Sequence, residues 1–103
     1  MLPEGSWRQL SAEGSKALER KNYQEATVEL EEARSLAPAS MHGYLDPLLA
    51  QAHFYLGNQL LEKENSKAVQ HYAQSLSYQS DPATYHNLVL AYLAQGNESK
   101  ARE

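Results

Sequence analysis

Three times along this chain a short polar turn contains an asparagine, and an alanine follows about one helical turn later: Asn22 before Ala26, Asn65 before Ala68, Asn97 before Ala101. Each turn spans only a few residues and follows a segment long enough to be a helix. Helices joined by so short a connection must fold back antiparallel. The recurrence therefore points to helical hairpins set one after another. Helix-start signals agree. Ser6 with Gln9 and Asn22 with Glu25 have capping-box spacing, in which a short polar side chain accepts from an orphan N–H of the first turn. Asp46-Pro47 and Asp81-Pro82 repeat a second device. There the Asp caps, and the Pro takes the first helical position, where its missing donor costs nothing. These signals predict helices near 7–20, 23–36, 47–63, 66–79 and 82–95, and a last one opening at 98. No segment alternates with period two for long enough to form a strand. The expected fold class is all-α.

Small residues mark where the helices meet. Ala26 is followed seven residues later by Ala33, and Ala68 by Ser75, so each pair shares one helix face. Such a stripe lets helix axes approach closely. The facing helices carry Gly14 and Gly57. A glycine inside a helix costs about 1 kcal/mol relative to alanine, so each calls for a packing reason. Close contact with the alanine stripe is the expected one.

Composition narrows the class of function. At 103 residues the chain is expected to form one domain with a modest core. Its 42% hydrophobic and 21% charged residues are those of an ordinary globular chain. No apolar run approaches the roughly 20 residues of a membrane span. The opening Met-Leu-Pro-Glu-Gly-Ser-Trp has neither a basic start nor an apolar stretch, so no secretory signal is read there. With no cysteine, disulfides and thiol catalysis are excluded, and a cytoplasmic location is expected. The formal net charge of −4 argues against nucleic acid, which needs clustered Lys and Arg.

The residues assembled so far resemble a tetratricopeptide repeat, a 34-residue helical hairpin with a Leu-Gly-x-x-Tyr core and later Ala, Phe and Pro positions. Leu10, Gly14, Ala17, Tyr23, Ala26, Leu30, Ala33 and Pro38 carry the likeness in a first repeat, about 7–38. Leu56, Gly57, Leu60, Ala68, Tyr72, Ser75 and Leu76 carry it in a second, about 47–80. Tyr85, Leu88, Tyr92, Gly96 and Ala101 carry a partial third over 81–103, which stops inside its second helix. Ala101 follows Ala68 by 33 residues, close to the family period, but Ala68 follows Ala26 by 42. The first junction, 39–46, therefore holds an insertion. Glu13 and His53 stand where the family prefers large apolar groups. The resemblance implies about two and a half repeats stacked as a right-handed α-solenoid. Such repeats bury their apolar faces on their neighbours and curl to form a concave side.

In the family, the first helix of each pair lines that concave surface. Carried over by position, the face comprises Arg8, Ser11, Ser15 and Glu19, then Gln51, Phe54, Asn58 and Glu62, then Ala83, His86, Leu90 and Ala94. One reading is a groove for an extended peptide or short helix of a partner protein, with apolar anchors and orienting amides. The other is a set of solvated positions, or positions that further repeats cover. Family members that bind acidic chaperone tails clamp the carboxylates with Lys, Asn and Arg. The matching positions here hold Ser11, Ser15, Ala83 and Asn87, so the charges for that partner are missing.

Other candidate groups are better read as structure. His42, His53, His71 and His86 show no His-Glu-x-x-His or i, i+4 pairing, so neither a metal nor a cofactor is expected. Asn97-Glu98-Ser99 matches a glycosylation sequon, but Asn97 serves better as a cap. Tyr23, Tyr72, Tyr85 and Tyr92 fall at repeat core positions, whereas Tyr44, Tyr55 and Tyr78 lie off that pattern and are candidates for surface contacts. Glu29 to Glu32 reads as a solvated face, or as an acidic patch for a basic partner. No nucleophile–base pair or phosphate loop is visible, and no enzyme is expected. Two functional readings follow. One is a protein-binding scaffold. The other is an assembly segment of a longer repeat protein, which packs on missing repeats or self-associates through 82–103. The second rests on the helix of Tyr85, Leu88, Val89, Leu90, Tyr92 and Leu93, too apolar all round to cap a stack.

Overall fold

A computed structural model describes residues 6–102, with side chains described through Gly96, and the described residues form five α-helices. These are α1 (Ser6–Glu19), α2 (Tyr23–Leu36), α3 (His42–Leu60), α4 (Asn65–Tyr78) and α5 (Pro82–Arg102). A short 3-10 turn, Ala39–Met41, precedes α3. No strand occurs among the described residues, so the chain is all-α there. The body is elongated, 54 × 24 × 22 Å. Consecutive helices pack on one another and run antiparallel. Ala17, near the end of α1, meets Ala26 and Leu30, while Trp7, near its start, meets Ala33. Likewise Arg34 reaches Asp46, and Gly57 faces Tyr72 while Ser75 bonds Ala50.

The core is a string of three small clusters. Trp7, Ala33 and Leu45 form one; Ala17, Ala26, Leu30, Leu49 and Ala52 the next; Ala68, Tyr72 and Ala91 the third. The two helical glycines have the packing role expected of them, with different partners. A Cβ on Gly14 would stand 2.6 Å from Leu30 Cγ, and one on Gly57 2.7 Å from Tyr72 Cε1. Close approach is therefore needed for the large side chains of α2 and α4, not for their alanines. Ser75, at a small-residue position, is buried and donates its hydroxyl to the Ala50 carbonyl at 2.7 Å. The α4 backbone is thereby tied to α3 without leaving a polar group unpaired.

The helix ends divide expectation from outcome. Asp81 caps α5 as predicted: its Oδ2 accepts from the Thr84 N–H at 3.2 Å and the Thr84 hydroxyl at 3.0 Å, and Pro82 is the first helical residue. Asp46-Pro47 does not open α3. That helix starts earlier, at His42, and Pro47 lies inside it. The supposed insertion supplies its first turns because Leu45 is needed in the Trp7–Ala33 cluster. Asp46 instead accepts from Arg34 Nε at 2.7 Å. Neither capping box closes. Gln9 turns to Glu13, the buried Ser6 hydroxyl has no partner among the described residues, and Asn22 Nδ2 bonds the Glu25 carboxylate directly at 2.7 Å. Glu64 and not Asn65 is the N-cap of α4. Finally, α5 runs through Gly96 and Asn97 without the predicted turn. Glu98, Lys100, Ala101 and Arg102 are good helix formers and favour continuing the helix. The side chains of Asn97 and Ala101 lie outside the described residues.

Candidate functional site

The positions assigned to a concave face divide into three groups. Ser15 and Glu19 on α1 join Gln51 on α3 around a cavity of about 250 Å³, completed by Leu18 and Leu48. Gln51 and half-buried Phe54 line a larger one of about 350 Å³, together with Tyr55, Ser75, Gln79, Asp81 and Thr84. This second hollow lies where α3 meets the connection from α4 into α5. Arg8 and Ser11 line a separate cavity of about 280 Å³ with Trp7, Met41 and Tyr44. Arg8 lies over the Trp7 ring, 4.8 Å from its centroid, and Ser11 is itself buried.

The remaining positions behave differently. Asn58 accepts from the Tyr72 hydroxyl and from Asn87 Nδ2, the latter at 3.0 Å. It brackets α3, α4 and α5, so its amide oxygen has an internal role. Burial raises the Tyr72 pKa, and its hydrogen bond with Asn87 opposes that shift. Glu62 is exposed in the turn after α3, not on that helix. Ala83, His86 and Leu90 are exposed on α5, and Ala94 is half-buried. Leu90 is one member of a broader apolar surface.

A second cluster sits between α2, α3 and α4, built from residues far apart in the sequence. His53 is buried, with Nε2 2.9 Å from Glu31 Oε1 and Nδ1 3.0 Å from His71 Nδ1. The Tyr78 hydroxyl donates between both Glu31 oxygens at 2.7 Å. The His53 ring lies nearly parallel to those of His71 and Tyr78. Arg34, hydrogen-bonded to Asp46, places its guanidinium 5.3 Å from the Tyr78 ring centroid. Burial first, then the hydrogen bond and charge of Glu31, push the Tyr78 phenol up to about 12, while Arg34 pulls it the other way. Tyr78 is therefore a hydrogen-bond donor and not a surface contact. The Glu29 to Glu32 run is not a uniform solvated face either, because Leu30 is buried and Glu31 is engaged here.

With a carboxylate, two imidazoles and a phenol in series, the cluster has the parts of a proton relay. However, His53 is 3% exposed, so a substrate has no access to its ring. Its chemistry is to brace three helices through a hydrogen-bonded polar core. Among the described residues no group of three or more His, Asp or Glu is arranged to hold a metal ion. Nor, among them, is any helix long and apolar enough to cross a membrane. Of the four tyrosines expected at core positions, Tyr72 is buried, and half-buried Tyr23 stacks on Tyr55 at 5.1 Å. Tyr85 and Tyr92, expected in a core, are exposed. No protein-family model matches the chain, and no curated protein or solved structure matches it.

Proposed function

We propose that this chain is a non-catalytic protein-binding module built as a short tetratricopeptide-type stack, which grips an extended peptide or short helix of a partner along α1, α3 and the start of α5. The supporting observation is the hollow of about 350 Å³ that holds Gln51 and Phe54 together. It combines an aromatic anchor with amide and carboxylate groups that can orient a peptide backbone. The neighbouring hollow at Ser15, Glu19 and Gln51 continues it toward α1. Few positive charges line it, so a neutral or basic peptide suits it better than an acidic tail.

Peptide-display selection on the full chain tests this reading, with the selected peptides titrated against Phe54→Ala, Gln51→Ala and His86→Ala. Loss of an aromatic anchor at the centre of a groove is expected to weaken binding about tenfold or more. Undiminished binding by both Phe54→Ala and Gln51→Ala would reject the groove.

A further inference from the structure

The outer face of α5 is both apolar and free of charge. Tyr85, Val89, Tyr92 and Leu93 stand at i, i+4, i+7 and i+8, the spacing of a single helical stripe, and each is more than half exposed. A neighbouring side of α5, about a third of a turn away, is already occupied: Thr84 and Ala91 are buried, and Ala91 and Leu88 pack with Ala68 and Tyr72 of α4. Thus α5 is apolar on two sides, and only one is covered. From Pro82 through Asn97 there is no Asp, Glu, Lys or Arg, although charged residues make up 21% of the chain. A charged partner finds nothing on this stretch to pair with.

We propose that this face is an isologous contact with a second copy of the chain, in which α5 packs antiparallel on α5 about a two-fold axis passing near Val89. The stripe is self-complementary under that operation. Tyr85 of each copy falls beside Leu93 and Tyr92 of the other, and Val89 falls beside its own equivalent, so aromatic meets aliphatic and no charge is buried. Each chain carries a formal charge of −4. Copies repel over most of their surface, and an uncharged face is where that repulsion is least. The exposed parts of these four side chains open on the order of 400 Å² of apolar surface per copy. With its polar rim, such a face approaches the roughly 800 Å² per partner of a standard interface. The contact suits a dimer that dissociates on dilution. It does not depend on the peptide groove.

Sedimentation equilibrium of the full chain from micromolar to millimolar concentration tests the proposal, with circular dichroism confirming the fold of each variant. The wild type is expected to pass from monomer to dimer across that range. Val89→Asp and Leu93→Glu should remain monomeric, while Val28→Asp, at an exposed valine of α2, should dimerise normally. The absence of cysteine permits a sharper test. Val89→Cys should form a disulfide-linked homodimer under mild oxidation, and Val28→Cys at matched concentration should not. A wild type monomeric throughout overturns the proposal and leaves this face to a different chain. A dimer that survives both charge substitutions overturns it by placing the contact elsewhere.

Discussion

The Nδ1 atoms of His53 and His71 lie 3.0 Å apart, and the other ring nitrogen of His53 is held by Glu31. Only one of the two facing nitrogens can carry hydrogen, so the contact fails when both imidazoles are protonated. His71 is held below the ordinary imidazole range, by burial first and then by the charges of His53 and Lys67. Glu31 and Arg34 face the cluster from α2, Asp46 from α3 and Tyr78 from α4. Because the folded value for His71 is depressed, the unfolded chain takes up its proton first as pH falls. The stability it contributes is present above about pH 6.5 and declines below it. Urea melts near pH 7.5 and pH 5.5 should show a larger fall for the wild type than for His71→Gln. An equal fall in both would remove His71 from the account.

Lys21 is the residue with positive φ, at 63°, among the described non-glycine residues. It ends α1 in a Schellman arrangement: its N–H reaches the Leu18 carbonyl at 3.0 Å, and the Asn22 N–H reaches that of Ala17 at 2.8 Å. A side chain there sits in the left-handed region that glycine occupies without strain. Lys21→Gly should therefore stabilise the chain by about 1 kcal/mol, measured as a raised denaturation midpoint with an unchanged m-value. A lowered midpoint would show that the turn is not held in this conformation.

Glycine-to-alanine substitution should separate three positions. At Gly14 and Gly57 the new methyl group meets Leu30 and Tyr72 well inside van der Waals contact. Overpacking there should cost about 1–3 kcal/mol, outweighing the gain in helix propensity. Nothing stands within 4 Å of a Cβ at Gly96. Gly96→Ala should then be stabilising by up to about 1 kcal/mol, because the residue is helical. The same substitution in a turn requiring positive φ would be destabilising, so thermal melts of this variant also test whether α5 is continuous.

Helix identity was legible because short polar turns and paired small residues act locally. Asp81 and Pro82 open α5 as their local signal predicts. Asp46 and Pro47 carry the same local signal, but Leu45 is wanted in the core beside Trp7, and Arg34 draws Asp46 toward α2. Tertiary packing overrode the cap. Glu31, His53, His71 and Tyr78 could not be assembled from spacing, since they come from three helices and up to 47 residues apart. The departure of His53 from an apolar repeat position was their only signal. At the proposed groove, Phe54 and Gln51 do converge, but no spacing marks Asn58 as engaged by Tyr72 and Asn87.

Glu29 offers the converse of His71. Burial first, then its contact with Glu25 and the charges of Glu25 and Glu13, push its carboxyl from the ordinary 4.5 up to about 7. Glu25 lies one helical turn before it on α2, and Glu13 reaches it from α1. Here the folded chain keeps a proton that the unfolded chain has released, so this group's contribution to stability is lost as pH rises from about 4.5 to 7. Glu29→Gln removes the ionisation and keeps the shape. Its advantage over the wild type should be small near pH 4.5, grow through the window and level off above pH 7. Taking the difference between the two proteins at each pH cancels the titrating groups that do not interact with Glu29 and leaves the Glu13, Glu25 and Glu29 cluster. A difference that stays flat across the window would mean that Glu29 ionises freely and that Glu13 and Glu25 do not crowd it.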